Sequence, residues 1–343
     1  MSRGYEIDVK ELQKKVRSLR RSPKKRKEIA IWREEEVLNG RRAEAFVAVL
    51  RTQGCSWARS SGCTMCGYIN DAFPATIEEL KKQVDKVLGE YRGEKVVKVY
   101  TSGSFLDENE VPSVLRHELL EGFKRAERVI IETRPEYITL NIVDELLSFG
   151  NVMVALGLES SKDKILKFCI NKGFRREDYV SAAQKLNNAG IPLKTYVLLK
   201  PPFLSEVEAI EDAVSTAHFS STFSAEVSIN PVNVQANTLV EHLWKRGEYR
   251  PPWLWSIVEV LKRCKPLLAK CRVISIPTGG GTKRGAHNCG ECDSVLLQRI
   301  VHFSLSQNLS ALEGLECTCR QHWLRLCSLE NFAQNTLDLE RFV

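Results

Sequence analysis

Between residues 43 and 236 short apolar runs alternate with longer amphipathic stretches. The apolar runs Ala45–Arg51, Val96–Thr101, Arg128–Glu132, Val152–Gly157, Leu193–Leu199 and Ala225–Ile229 are rich in Val, Ile and Leu and nearly unbroken. That is the pattern of strands covered on both faces, as in a parallel sheet. Between them Ile77–Tyr91, Ser113–Ala126, Asn141–Phe149, Lys162–Cys169, Glu177–Ala189 and Glu206–His218 read as helices. Six strand–helix units in series predict right-handed crossovers and a curved parallel sheet of α/β class. A partial (β/α)6 barrel is its natural closure, with functional residues where strands end and loops begin.

The flanks read differently. Asp8 with Glu11 three residues on has the form of a helix capping box, and Val9, Leu12, Val16 and Leu19 follow at helical spacing. Pro23 interrupts the pattern, and a second charged helix is predicted through Trp32 to about Leu38. Residues 1–42 thus read as a basic N-terminal helical extension and 43–236 as the barrel core. After Asn230-Pro231 the alternation stops. Residues 237–263 read as helix, loop (Tyr249-Arg250-Pro251-Pro252-Trp253) and helix; a short strand, Arg272–Ile276, and a flexible glycine-rich stretch, Thr278–Gly285, come next. Residues 237–343 form a small helical and cysteine-rich C-terminal domain.

Composition narrows the classes. Hydrophobic content of 43% suffices for a sizeable core. No apolar run approaches the roughly 20 residues of a membrane span, and the charged N-terminus lacks the apolar segment of a signal peptide. A cytoplasmic protein with no membrane partner is expected. Eleven cysteines, odd in number and clustered, argue against a secreted disulfide framework and for metal binding in a reducing compartment. The net charge of +7 is local: residues 10–27 hold ten Lys or Arg against Glu11, so the rest sums to about −2. Such a block, ending in Lys24, Lys25, Arg26 and Lys27, suggests a polyanion partner, because neutralising phosphates releases counterions. A solvated tail or a targeting run is the alternative.

Two constellations carry chemistry. The first is Cys55, Cys63 and Cys66, spaced C-x7-C-x2-C directly after the first barrel strand. An iron–sulfur cube takes four ligands, usually thiolates. Three thiolates with no fourth nearby leave one iron open to a small chelator, the arrangement by which radical S-adenosylmethionine (SAM) enzymes hold their cofactor. A zinc loop lacking one ligand is the alternative. Thr101-Ser102-Gly103-Ser104-Phe105 ends the second barrel strand, where a glycine allows close backbone approach to a ligand or marks an ordinary turn. The second constellation is His287, Cys289, Cys292, Cys317 and Cys319, with 24 residues between Cys292 and Cys317. A CxxC knuckle with a distant pair is a common closed zinc arrangement. Five candidates compete for four places, so one of His287, Cys317 and Cys319 is surplus; a second iron–sulfur cluster or free thiols are the alternatives. Cys169, Cys264, Cys271 and Cys327 stand alone and read as ordinary thiols.

Further segments carry a resemblance. Ile131-Glu132-Thr133-Arg134-Pro135-Glu136, Leu156-Gly157-Leu158-Glu159-Ser160 and Ile170-Asn171-Lys172-Gly173 resemble the radical SAM core of the Elongator catalytic subunit and of oxygen-independent coproporphyrinogen oxidase. Thr101–Asp107, Ser228–Gln235 and Tyr249–Trp255 resemble the archaeosine-forming radical SAM family, RaSEA, across nearly the whole chain. The resemblance implies that Cys55, Cys63 and Cys66 ligate a [4Fe-4S] cluster, and that Gly103 and Ser104 meet the amine of SAM. It puts Glu132 and Glu159 where relatives bond the ribose and adenine. Lys172 matches a position where some relatives use Arg for the SAM carboxylate; Lys offers a point charge rather than a fork, so Arg175 or Arg176 is an alternative. Met65 stands where many members carry an aromatic residue beside adenine, with Tyr68 nearby. Asn230, Asn233 and Gln235 place amides at the barrel mouth, suited either to a purine-like base edge or to capping loops.

The implied activity is a radical carbon–nitrogen lyase acting on tRNA. Its substrate is a 7-deazaguanine base of the D-loop bearing an attached lysine, extruded to reach SAM, and its product is archaeosine. The implied partners are tRNA, the lysine-transferring archaeosine synthase and an electron donor, and the cofactors are a [4Fe-4S] cluster, SAM and a structural Zn²⁺. Alternatives are methylthio- or carboxymethyl-transfer to tRNA, or a non-catalytic metal-stabilised tRNA-binding module.

Overall fold

The computed structural model describes residues 8–21 and 28–334. Its eight strands form one sheet in chain order: β1 (Ala30–Leu38), β2 (Arg41–Val49), β3 (Val96–Tyr100), β4 (Arg128–Thr133), β5 (Val152–Glu159), β6 (Leu193–Leu199), β7 (Glu226–Pro231) and β8 (Arg272–Ile274). Pairing is parallel from β2 to β8 and antiparallel between β1 and β2. The helices are α1 (Val9–Leu19), α2 (Ser56–Ser60), α3 (Ile77–Glu90), α4 (Ser113–Gly122), α5 (Leu140–Phe149), α6 (Arg176–Asn188), α7 (Glu206–Ser220), α8 (Leu239–Lys245), α9 (Leu254–Arg263), α10 (Asp293–Ser306) and α11 (Cys319–Gln334). The six expected barrel strands are β2–β7. The helix expected at Lys162–Cys169 is a π-helical turn, Ile165–Ile170.

Side chains alternate across each strand. Phe46, Ala48, Val97, Val99, Val129 and Ile131 pack against Leu80, Val84 and Leu119 of the covering helices. Their neighbours Ala45, Val96, Ile130, Met153 and Ala155 form a smaller apolar cluster on the opposite face. On the Val96 side, one period on, Lys98 is buried and pairs with Glu34 and Glu36 of β1 at 2.7 and 2.5 Å. Lys194 pairs with Glu226 at 2.9 Å, and Arg272 of β8 reaches the same carboxylate at 3.2 Å. Burial alone would raise the Glu226 carboxyl, but these two cations hold it near 2. Buried ion pairs therefore stitch both edge strands onto the six-stranded core.

The second charged helix expected up to Leu38 is instead strand β1. Asn39 and Gly40 both have positive φ (50° and 75°), which closes a two-residue hairpin whose twist matches its strands. Leu38 then faces Arg41, and β2 begins inside the span expected to be the N-terminal extension. Acidic residues on alternate faces find cations on both sides: Glu35 pairs with Arg42 of β2, while Glu34 and Glu36 take Lys98. Cross-strand pairing thus overrides the helix propensity of the Glu run.

Helix α1 forms as expected, but Asp8 caps it by accepting from the N–H of Lys10 rather than that of Glu11. Leu12 and Val16 pack against Leu239 of α8, with Leu19 and Leu243 alongside. Lys24, Lys25, Arg26 and Lys27 lie outside the described residues. The stretch expected to be flexible, 278–285, is a set of turns tied down at both ends. Gly281 N–H donates to the Ala286 carbonyl (2.8 Å) and Arg284 Nε to that of Val234 (2.9 Å).

Candidate active site and a second cysteine cluster

Beyond β2 the chain runs into the loop of Cys55, Cys63 and Cys66, which three distant segments hold. Thr64 donates from its backbone to the Ile170 carbonyl (2.9 Å) and from its hydroxyl to that of Cys169 (2.7 Å). Asn171 Nδ2 donates to the Gly62 carbonyl (2.8 Å) and to Ser61 Oγ (3.0 Å), while Trp57 Nε1 donates to the Asn171 carbonyl (2.8 Å). Asn171 adopts a left-handed φ of 55°, a conformation Asn tolerates better than most side chains. Gly67 N–H donates to Gln235 Oε1 at 2.5 Å, and Cys55 N–H reaches the Ser102 carbonyl at 3.4 Å.

The β3 loop meets it closely. A Cβ on Gly103 would stand 2.5 Å from the backbone of Cys55 and 2.0 Å from Glu110 Oε1, so only glycine allows this approach. Ser104 N–H donates to Glu110 Oε1 (2.8 Å), Thr52 Oγ1 donates to Glu110 Oε2 (2.8 Å), and Ser104 Oγ accepts from Arg134 N–H (3.2 Å). Glu110 is buried, which lifts its carboxyl to about 7. Sequence reasoning missed it. Its signal was an acid seven residues after the β3 glycine, next to the apolar Val111.

Glu132, Glu159 and Lys172 come together at the strand ends. Tyr196 hydroxyl donates to Glu132 Oε1 at 2.5 Å, and burial raises the Glu132 carboxyl. Lys172 Nζ lies 2.8 Å from Glu159 Oε1, both side chains about nine-tenths buried. A Cβ on Gly157 would press on both, at 2.6 Å from Glu159 Oε1 and 2.9 Å from Lys172 Nζ. Glu159 has φ 69° at an irregularity in the β5–β6 register, a strained backbone of the kind that clusters at functional sites. Arg175 and Arg176 are exposed on α6 or its cap. The second buried cation is instead Arg134, whose Nη1 donates to the Lys172 carbonyl (3.1 Å). Burial raises the Cys63 thiol, and Lys172 and Arg134 pull it back down; burial pushes Cys66 up to about 12.

Of the three amides, Gln235 is engaged by the cysteine loop and Asn230 Oδ1 accepts from Ser228 Oγ (2.8 Å). Asn233 is half-buried on the loop between them. Met65 packs against the C-terminal core, and Tyr68 is 55% exposed.

The second cluster is closed. Cys289, Cys292, Cys317 and Cys319 place their sulfurs within 4.8 Å of one another. Sγ separations are 3.9 Å (Cys289–Cys292), 3.7 Å (Cys289–Cys317) and 3.6 Å (Cys292–Cys319). A tetrahedral ion with metal–sulfur bonds of about 2.3 Å requires sulfur edges of about 3.8 Å. Asp293 organises the knuckle by accepting from the N–H groups of Asn288 and Gly290. Asn288 Nδ2 and Trp255 Nε1 donate to Cys292 and Cys319 sulfurs, each at 3.3 Å. Burial pushes the Cys292 thiol up to about 11. For Cys289 burial is outweighed by the N–H groups of Cys292 and Glu291 and the adjoining thiols, which bring it to about 7. His287 is the surplus candidate: its Nδ1 is 2.8 Å from the Gly285 carbonyl, outside the set of four.

Residues 49–214 match the radical SAM superfamily model. The archaeosine synthase subunit beta of Methanosarcina acetivorans is 39% identical over 317 residues, 90% of this chain and 92% of that one. The chain belongs to the archaeosine synthase subunit beta family. The Thermococcus kodakarensis archaeosine synthase subunit beta is 38% identical over 85% of this chain and 94% of its own. The Elp3 structure of Methanocaldococcus infernus, 23% identical, aligns with a TM-score of 0.43 over 57% of this chain and 50% of that one.

Membership in the radical SAM superfamily implies a [4Fe-4S] cluster and SAM. The residues present fit both. Three thiols share one loop, Gly103 lets the β3 loop pack directly on the backbone of Cys55, and Arg20 Nη2 is buried beside the loop without a hydrogen-bond partner. An anionic cluster answers that orphaned cation. Among the described residues no helix is long and apolar enough to cross a membrane.

Proposed function

We propose that this protein is the radical SAM lyase that completes archaeosine, cleaving a carbon–nitrogen bond of a lysine-bearing 7-deazaguanine base in the tRNA D-loop. The observation that carries this reading is similarity along nine-tenths of the chain to a protein named archaeosine synthase subunit beta. Bound cluster and SAM supply, on reduction, a radical able to take hydrogen from a carbon that no side-chain base could deprotonate. The chain's own residues bind and orient. Cys55, Cys63 and Cys66 hold the cluster; Gly103 and Ser104, braced by Glu110, offer backbone groups to the SAM amine.

Glu132 and Glu159 receive ribose and adenine hydroxyl and amino groups, and Lys172 with Arg134 supplies positive charge for the SAM carboxylate. Asn230 and Asn233 face the base, while Gln235 acts through the cysteine loop by fixing Gly67. Lys24, Lys25, Arg26 and Lys27, continuing the exposed Lys10, Lys14, Lys15 and Arg17 of α1, hold tRNA phosphates. Cys289, Cys292, Cys317 and Cys319 bind one structural Zn²⁺. The partners are tRNA, the lysine-transferring archaeosine synthase subunit and an electron donor.

Nucleoside mass spectrometry of tRNA from a deletion strain tests the reading. Accumulation of the lysine-bearing deazaguanine with loss of archaeosine is expected. Unchanged archaeosine overturns the proposal, and accumulation of a different precursor redirects it to another tRNA modification.

A further inference from the structure

Helix α1 does more than display lysines. Its apolar face (Leu12, Val16, Leu19) docks on Leu239 and Leu243, and Gln13 Nε2 reaches Asn171 Oδ1 at 3.4 Å. Asn171 is the residue that holds Gly62 and Ser61 of the cysteine loop. This docking fixes the helix end, where the cap residue Arg20 turns inward while Arg21 is exposed, its backbone N–H donating to Asn70 Oδ1 (3.1 Å). Arg20 Nη2 lies against Gly62, the residue directly before Cys63. A Cβ on Gly62 would come within 1.5 Å of it. That nitrogen is buried and has no hydrogen-bond partner. Burying a cation without a partner is costly; the groups within its electrostatic reach are the thiols of Cys66, Cys63 and Cys55, which favour its charge, and Arg17, which opposes it.

We propose that Arg20 is a cluster-facing cation whose charge raises the reduction potential of the [4Fe-4S] cluster. Adding an electron makes the cluster more negative, so a fixed positive charge beside it favours the reduced state. Arg134 and Lys172 approach the loop from the barrel; Arg20 approaches from α1, the helix whose opposite face carries exposed Lys10, Lys14, Lys15 and Arg17. This inference rests on the presence of the cluster and is independent of which base the enzyme modifies.

The test is an anaerobic redox titration of the reconstituted full-length protein without SAM, monitored by the electron paramagnetic resonance signal of the reduced cluster. Iron content and melting temperature are measured alongside. An iron-free parent would remove the cluster itself and with it the superfamily reading; the Arg20 assignment is judged on iron-loaded parent. Arg20→Gln and Arg20→Met are expected to shift the oxidised-to-reduced ratio at a given potential about tenfold toward oxidised, about 59 mV for a one-electron couple. Arg20→Lys, which keeps the charge, and Arg21→Gln, which removes a solvated one, stay within about threefold of the parent, as screening of exposed charge predicts. Neutral variants that load full iron and titrate like the parent overturn the proposal. If neither neutral variant loads iron while Arg20→Lys does, the charge serves assembly of the cluster rather than its potential and the proposal falls. If all three fail alike, the side chain acts by packing and the proposal falls.

Discussion

Cys55, Cys63 and Cys66 sit on one loop and draw their surroundings from distant segments. Cys289, Cys292, Cys317 and Cys319 come from two short segments and already stand at the spacing of a single tetrahedral ion. Around the first set lie three buried or half-buried cations, Arg20, Arg134 and Lys172, with Glu132 and Glu159 beyond them. Around the second lie N–H donors aimed at the sulfurs. An open site needs charge compensation and space for a cofactor; a closed one needs four thiolates and a rigid frame. On the proposed reading the same residue type serves chemistry in one place and stability in the other.

Five outcomes would sharpen or break that contrast. Replacing Cys63 with Ala should abolish the brown chromophore and 5′-deoxyadenosine formation while melting temperature stays within a few degrees. Cys292→Ser should do the reverse, removing one metal equivalent and lowering the melting temperature by about 10 °C or more, because metal binding is coupled to folding. If Cys292→Ser melts like the parent, the closed cluster is not structural.

Lys172→Met leaves Glu159 buried without its partner and should cost about 3–5 kcal/mol in urea unfolding; a loss below about 1 kcal/mol would mean that the pair is solvated. A smaller effect concerns Glu110. Its carboxyl titrates near 7 in the fold against an ordinary value of about 4.3 unfolded. The folded state thus holds an extra proton between the two values. Its contribution to stability is complete below the lower value and is lost as pH rises through 7. Relative to Glu110→Gln, the parent should lose about 2–3 kcal/mol between pH 4 and 8; parallel pH curves would contradict the burial argument. The least effect is expected from His287→Ala, which should retain one metal ion per chain and lose no more than about 1 kcal/mol. Loss of the metal would return His287 to the ligand set.

The six barrel strands were legible because a doubly covered strand must be apolar almost throughout, as Val96–Tyr100 and Leu193–Leu199 are. The cysteine loop was legible because its three thiols are close in sequence. Strand β1 was misread because Trp32–Leu38 carries three glutamates in a row, and their partners Lys98 and Arg42 are assigned only by the hairpin and the sheet. Asn39-Gly40 was the available signal. Arg20, Glu110 and Arg134 were not marked by spacing, since each gains its role from neighbours at least as far off as the next barrel unit or loop.

Local periodicity and the close spacing of Cys55, Cys63 and Cys66 determined the class of fold and the kind of cofactor, because both are written within a dozen or so consecutive residues. Which four of the five candidate side chains come together, which amide binds a loop, and which arginine lies against the cysteine loop were decided by tertiary structure alone. Those choices depend on distances between residues far apart in the chain, and burial sets the cost of every charge left unpaired there.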